Sequence, residues 1–534
     1  MPSDTLLHDD EVARKRALDV ARSYIVQAPA GSGKTELLIQ RYLRLLAVVD
    51  NPEEVLAITF TRKAAAEMQF RVLGALQLAA LGSLPSQPHL RQTAELATGV
   101  LRRDAERDWR IVTNPRRMRI QTLDSLHASI ARSRPLLGAE SAGGTSIVVD
   151  ADLRALHRDA AIATLDWLTD SGEVNDAIRE VLVHLDTNTS LYVDYLSRML
   201  ATRDQWLPFV GSGLLLPVEW AALRRQLEGN IEIAVRRHLQ ETHAALHVND
   251  ERSLVELADY AARNLCEQGH ADHPIAQLQG LAEVPAGSVT ELDKWLGLAE
   301  LLLTKAGTIR KTFNKGQGFP AGEKQQKERA VAMVQSILAN ERITPLLHAV
   351  RTLPPLQYSD DQWQVMLALF RLLPVAVTEL QRLFSEQGVV DHIEVALTAG
   401  TVLGSSQSPG DVALLLDYQV RHLLVDEMQD TSAAQYRMLE ALTGGWEAGD
   451  GRTLFCVGDP MQSIYRFRNA EVGQFLLARQ FGIGDIPLEA LTLRRNFRSG
   501  GNLVAWFNAV FTSIMAAHDD PKSGAVVYSC LLYT

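Results

Sequence analysis

The run Ala28-Pro29-Ala30-Gly31-Ser32-Gly33-Lys34-Thr35 carries the residues best suited to chemistry in this chain. Its glycines let a backbone approach an anion closely, and its N–H groups converge with the N-terminus of a following helix. Lys34 supplies a point charge for the β and γ phosphates of a nucleoside triphosphate, and Thr35 a hydroxyl for Mg²⁺. A second candidate pair, Asp426-Glu427, ends the apolar run His422–Val425. One carboxylate of such a pair holds Mg²⁺ and the next orients and deprotonates the attacking water, which assigns Asp426 to the metal and Glu427 to the base. Asp459 ends another apolar run, Thr453–Gly458.

These residues need a scaffold that brings sequence positions 34, 426 and 459 together. Apolar runs at Tyr24–Val26, Val55–Phe60, His422–Val425 and Thr453–Gly458 suit strands of a parallel sheet covered on both faces. Ligands of such sheets bind beyond the carboxyl ends of the strands. Helical patterns follow at Glu36–Leu46 and Ala64–Leu81, and Ile120–Leu126 reads as a short strand entering a helix. Between about residues 149 and 388 the texture changes to amphipathic helices, so the sheet is expected to be split by an insertion. The predicted spans are 1–148 and 389–488 for the two parts of the sheet domain, 149–388 for the insertion, and 489–534 for the start of a further domain. Within the insertion, Lys305–Arg329 carries seven Lys/Arg against two acids and should be partly loop. A solvated surface and a DNA-contacting loop are equally good readings of it.

Composition narrows the class. The 534 residues are 46% hydrophobic and 22% charged, as in soluble globular proteins. Three scattered cysteines argue against a disulfide scaffold or a zinc site. No run reads as long and apolar enough to span a membrane, the polar, acidic stretch Met1–Lys15 lacks a secretory core, and a cytoplasmic, nucleoid-associated location is expected. A net charge of −11 argues against coating nucleic acid with the whole surface, though not against a local basic groove.

Four longer stretches resemble the UvrD/Rep group of superfamily 1 DNA helicases. Leu424–Thr431 (LVDEMQDT) resembles motif II, and Val457–Arg468 (VGDPMQSIYRFR) motif III. Ala57–Met68 (AITFTRKAAAEM) is similar to motif Ia, and Leu493–Ser499 (LRRNFRS) to motif IV. The insertion and the phosphate loop look most like the RecB/AddA branch. The resemblance implies an α/β fold: a RecA-like P-loop NTPase parallel sheet split by a large, mainly helical insertion, plus the start of a second RecA-like domain. It implies an ATP- and Mg²⁺-dependent helicase moving 3′→5′ on single-stranded DNA, acting on single-strand/duplex junctions in double-strand-break repair and recombination. A nuclease subunit of an end-processing complex is the expected partner.

By the same resemblance, Gln462 senses the γ-phosphate, Arg498 acts as an arginine finger, and Phe497 stacks on the base. Thr59, Phe60, Arg62, Thr122, Tyr465, Phe467 and Arg468 would meet DNA. Some positions depart from the family: its adenine-reading Gln is absent, with Arg14 the candidate there, Glu36 stands where some relatives have a stacking Arg, and Asp124 where many have His. Motifs V and VI are not found in the roughly 35 residues after motif IV, so the chain reads as an N-terminal fragment with low turnover. An ATP- and DNA-binding module without motor activity is the alternative. A phosphate-loop ATPase acting on something other than nucleic acid is disfavoured by motifs Ia and III.

Overall fold

The computed structural model describes residues 2–82, 85–133, 146–210, 217–246, 251–337, 342–405, 408–464, 471–521 and 523–533. Four apolar runs become the inner strands of one sheet: β1 (Tyr24–Gln27), β2 (Val55–Thr59), β4 (His422–Val425) and β5 (Thr453–Gly458). Each is buried along its whole length. The more exposed β3 (Arg119–Thr122) and β6 (Glu489–Thr492) form the edges. The order is β6-β1-β5-β4-β2-β3, and every pairing is parallel.

Alternation along each strand feeds two cores. Tyr24, Val26, Val55, Ala57, Leu424, Phe455 and Val457 face a layer built with α2 (Lys34–Leu46), α3 (Arg62–Ala80) and α4 (Pro88–Arg107). Ile25, Leu56, Ile58, Leu423, Val425, Leu454 and Cys456 face the opposite layer, which includes α5 (Leu123–Arg132) and the helices His392–Leu403, Ala433–Leu442 and Val472–Phe481. Burial on both faces is why these strands read as unbroken apolar runs.

The sheet extends past the predicted boundary at residue 488. Glu489–Thr492 pairs with β1 in register, Gln27 opposite Thr492. As an edge strand it needs little apolar sequence, so Glu-Ala-Leu-Thr gave no strong strand signal. The chain then leaves this sheet: Arg495–Asn496 pairs with Leu532–Tyr533, and Gly501–Ile514 is helical. Of the apolar tail from Val526, Leu532–Tyr533 is the stretch that forms a strand.

The entry to β1 is set by a buried cation. Arg41, on α2 and 0% exposed, donates to the carbonyl oxygens of Ala17 (2.9 Å), Asp19 and Arg22 (2.8 Å). Its guanidinium lies 5.7 Å from the ring centre of Tyr24 and 5.1 Å from that of Phe455. Desolvation lowers its pKa to about 10, still far above neutrality, so it stays charged. The turn between α1 (Pro2–Ala17) and β1 is thereby fixed from beneath.

The compact unit that holds the sheet comprises Met1–Asp166, Ser190–Phe209 and Val375–Thr534. It reaches further into the predicted insertion than composition suggested, and a buried ion pair gives the reason. Arg203, fully buried, binds both oxygens of Asp391 (2.8 and 2.5 Å) and reaches Glu394 at 3.2 Å. Asp391 also caps the helix His392–Leu403, accepting from the Glu394 N–H at 2.7 Å. Residues 188 apart in sequence are thus held in one unit.

The second unit, Trp167–Thr189 with Val210–Pro374, is a helical body around Trp295, Leu298, Leu302 and Phe319. Phe313 and Phe319 anchor the basic stretch to that core, with ring centres 4.9 Å apart. Lys305, Lys311, Lys315 and Lys324 remain exposed. Against the expectation that no run is long enough, the helix Asp360–Gln387 is long and apolar enough to cross a membrane by length and composition. Its Leu372, Leu373, Ala376, Leu380 and Phe384 are buried in protein, the pattern of a core helix.

Arg41→Ala leaves three carbonyl oxygens without their donor, at about 1–3 kcal/mol each. The first urea transition of the chain should therefore weaken by about 3 kcal/mol or more. A loss below about 1 kcal/mol would mean that water replaces the guanidinium.

Candidate nucleotide site

Three strand ends meet around the glycine-rich run. The Ala28 N–H donates to Gly458 O (2.9 Å) and the Leu493 N–H to Gln27 O (2.8 Å), so the chain turns out of β1 between the ends of β5 and β6. Gly31 and Gly33 take left-handed φ of 78° and 77°, and Gly33 is the N-cap of α2. A Cβ on Gly31 would also lie 2.8 Å from Arg498 Cβ, so the position excludes any side chain twice over. The loop opens into α2 with its first amides unpaired within the helix, the arrangement that binds anions.

Facing it, Lys34 Nζ lies 2.5 Å from Glu427 Oε2. Glu427 sits at φ 52°, ψ 41°, a left-handed conformation unusual for a residue with a side chain. Asp426 lies at the end of β4, where its N–H donates to Ile58 O at 2.8 Å. Its carboxyl is pushed up to about 6: desolvation dominates, Lys34 opposes it, and the Glu427 charge adds to it. Asp459, buried at the end of β5, is also raised by desolvation, with Gln462 the first opposing influence.

Gln429 links these acids, a role that sequence reasoning left unassigned. It is 1% exposed, and its amide nitrogen donates to Glu427 Oε2 (2.8 Å) and Asp430 Oδ2 (3.1 Å). Its oxygen accepts from the Asp459 N–H at 2.9 Å. A Cβ on Gly458 would come within 2.5 Å of that oxygen, so the glycine makes room for the link. The Gln462 amide donates to Asp459 Oδ2.

The segment after β6 docks onto the backbone carbonyls of the loop. Asn496 Nδ2 donates to Ala30 O (3.0 Å), the Phe497 N–H donates to Gly31 O (2.8 Å), and Asn496 Oδ1 accepts from the N–H groups of Arg498 and Ser499. Phe497 and Arg498 are thereby brought beside Gly31 and Gly33. From α1, buried Asp10 accepts from the Arg494 N–H (2.7 Å) and the Arg495 N–H (3.2 Å). The same carboxylate holds Arg14 Nε at 2.7 Å, and Arg14 Nη2 donates to Ser32 O at 2.7 Å. Asp10 and Asn496 do not stand out in the sequence. A helix before the loop and an Asn between Arg495 and Phe497 carry no spacing signal of their own.

The expected DNA contacts are more scattered. Thr59 and Thr122 lie opposite each other at the ends of β2 and β3, both buried. The Thr122 hydroxyl caps α5, accepting from the Ser125 N–H at 3.1 Å. Arg62 is exposed at the start of α3, and Phe60 is half-buried just before it. Tyr465, Phe467 and Arg468 lie outside the described residues.

The residues present suit a magnesium nucleotide. Ser32 Oγ is buried at the loop without a hydrogen-bond partner among the described residues, Gly31 leaves a cradle that a Cβ would fill, and Thr35 and Asp426 are hard oxygen donors of the kind Mg²⁺ takes.

Residues 10–202 and 325–481 match the UvrD/REP helicase N-terminal domain. The chain belongs to this family. Its similarity to curated relatives runs nearly end to end: 26% identity to an ATP-dependent helicase/nuclease subunit from Lysinibacillus sphaericus, over 99% of this chain and 41% of that protein. The proteins of the same name from Oceanobacillus iheyensis and Desulfitobacterium hafniense are also 26% identical, with 94% and 97% of this chain and 39% and 36% of theirs aligned. The chain therefore spans about two fifths of the length of the relatives it matches.

Burial makes the Asp426 charge costly. Its proton is held more tightly in the folded state than at the ordinary 3.8, so this group favours folding below about pH 4 and loses that contribution as pH rises through about 6. Asp426→Asn should thus raise stability at pH 7.5 without Mg²⁺ by about 1–3 kcal/mol, with the gain vanishing near pH 4. Urea titrations across pH measure this, and a destabilised variant at pH 7.5 would contradict it.

Proposed function

We propose that this chain is the nucleotide-binding part of an ATP-dependent DNA helicase or translocase. The observation that carries the reading is the meeting of Lys34, at the end of the glycine loop, with Asp426 and Glu427 at the end of β4, one strand beyond β5. In this reading the loop amides and Lys34 bind the β and γ phosphates, while Thr35 and Asp426 hold Mg²⁺, which neutralises phosphate charge. Glu427 orients and deprotonates the attacking water, Gln462 reports the γ-phosphate, and Arg498 stabilises charge developing in transfer. Phe497 offers a stacking face to the base.

The strand to be moved would be single-stranded DNA, held across the carboxyl ends of β2 and β3. Thr59, Phe60, Arg62 and Thr122 lie there, and Tyr465, Phe467 and Arg468 follow β5 in sequence. Aromatic faces give sequence-tolerant contacts to bases. By family, the motion is 3′→5′, the work is double-strand-break repair and recombination in the cytoplasm, and the partner is a nuclease subunit. The names of the relatives, each a helicase/nuclease subunit, support that last assignment.

Glu427→Gln separates binding from chemistry. Magnesium-dependent ATP affinity should stay within about threefold, while single-turnover hydrolysis with oligo-dT falls by about 10²-fold or more. Hydrolysis that survives the substitution unchanged would remove Glu427 from the base role and undercut the reading.

A further inference from the structure

A cavity of about 880 Å³ opens at the amino ends of the strands. Glu54, Arg421 and Arg452 immediately precede β2, β4 and β5, and Arg119 opens β3. Because every pairing is parallel, these four side chains line one edge, opposite the strand ends that carry Asp426 and Asp459. Ligands of such sheets bind at the carboxyl ends, so the fold alone does not account for a cavity here.

Most of its charges are already satisfied. Asp50 accepts from Arg103 (2.9 Å) and Arg107, and Glu53 from Arg117 (2.7 and 3.0 Å). Arg452 is shared between Asp417 (2.6 Å) and Asp450 (2.7 Å). Glu54 is 9% exposed. One of its carboxylate oxygens holds the N–H and the side-chain amide of Asn51, and the other is buried without a partner among the described residues. Arg119 and Arg421 are the exceptions. The backbone of Arg421 is locked, its N–H on Glu54 O and its O on the Thr453 N–H, yet its exposed guanidinium has no hydrogen-bond partner among the described residues. Nor has that of Arg119, which is half-buried: desolvation lowers its pKa, opposed by Glu53 and Tyr42. Unsatisfied guanidinium forks of this kind match carboxylates.

Tyr418 lines the same cavity and continues into an apolar stripe. The helix Asp411–Gln419 packs Val412, Ala413 and Leu416 into the core beneath it. On its other side Leu414, Leu415 and Tyr418, spaced i, i+1 and i+4, are 55%, 55% and 89% exposed. A helix apolar on both sides belongs between two layers, and the described residues supply only one. Gln419, exposed at the helix end, adds an amide that suits a peptide backbone.

The unengaged groups select the occupant. Small-molecule sites are mostly apolar with few polar groups, whereas charges dominate this cavity. A nucleic-acid strand would set its phosphates against Asp50, Glu53, Asp417 and Asp450. A second copy docked through the same patch would bring Arg421 towards Arg421. A different protein that carries carboxylates next to apolar side chains satisfies both the forks and the stripe, and Tyr and Arg are the side chains that anchor such interfaces. We propose that this face, from Leu414 and Tyr418 to Arg119 and Arg421, docks an acidic, apolar-flanked segment of another protein. The surface lies apart from the nucleotide reading and does not rest on it.

The test is selection of a displayed library of random short peptides on the 534-residue chain, then fluorescence anisotropy of the enriched peptides. The expected peptides hold Asp or Glu beside Leu, Phe or Trp. Tyr418→Ala and Arg421→Glu should each weaken their binding by about tenfold or more, with the urea transition unchanged. Replacing the peptide acid by Lys should weaken binding to the unaltered chain and restore it to Arg421→Glu. Enriched peptides that lack acids, or that ignore both substitutions, would overturn the proposal, as would a selection that enriches none. Displacement of the peptide by oligo-dT would give the face to nucleic acid instead. A dimer in sedimentation that Tyr418→Ala abolishes would give it to a second copy, and either result overturns the proposal while leaving the nucleotide site standing.

Discussion

The arrangement depends on one constraint: β1 is hydrogen-bonded between β5 and β6 in fixed register, Gln27 level with Gly458 on one side and Thr492 on the other. Main-chain ladders set that alignment to within a residue, because a one-residue slip would turn Tyr24 and Val26 out of one core and Ile25 out of the other. Once register is fixed, the loop leaving β1 can emerge only between Asp459, which follows β5, and the Asn496 segment, which follows β6. The Arg41 cluster under the entry to β1 and the Asp10–Arg14 pair above its exit reinforce the same placement.

What the scaffold holds in place is expensive to hold. Asp426 and Asp459 are desolvated acids, Glu427 occupies a left-handed backbone conformation, and Lys34 balances the negative charge. Gln429 is the polar link that makes this tolerable, satisfying Glu427, Asp430 and the Asp459 amide at once. Strained and desolvated groups gathered where strand ends converge are a usual mark of a functional site, since nothing in folding alone favours them. The buried Arg203–Asp391 pair is a contrast: equally charged, but bidentate and enclosed, with Asp391 held well below the ordinary carboxylate range by its partners. It serves the joining of chain segments.

The sheet interior and the loop were legible because their physics is local. Apolar runs of four to six residues, each followed by a charged or glycine-containing turn, can be read without knowing what they pack against. β6 was not legible as part of this sheet, since an edge strand such as Glu489–Thr492 needs little apolar character. Gln429 could be quoted as part of a motif, but its bonds to Glu427, Asp430 and Asp459 depend on two strand ends converging. Asp10, Arg203 and Asp391 act through partners 188 to 484 residues away, and no periodicity marks such pairs. The span of the insertion was overestimated for the same reason: helical texture looks alike whether a helix packs on the sheet or in the separate helical body.

The central claim is that the loop from Ala28 to Thr35 and the carboxylates of β4 form one magnesium-nucleotide site. Calorimetric titration of a slowly hydrolysed ATP analogue, with and without Mg²⁺, into the chain and into Lys34→Ala addresses it most directly. The account predicts saturable, magnesium-dependent binding at one site per chain, weakened by about 10²-fold or more in Lys34→Ala. Binding that is equally strong in the variant, or that does not respond to Mg²⁺, would contradict it.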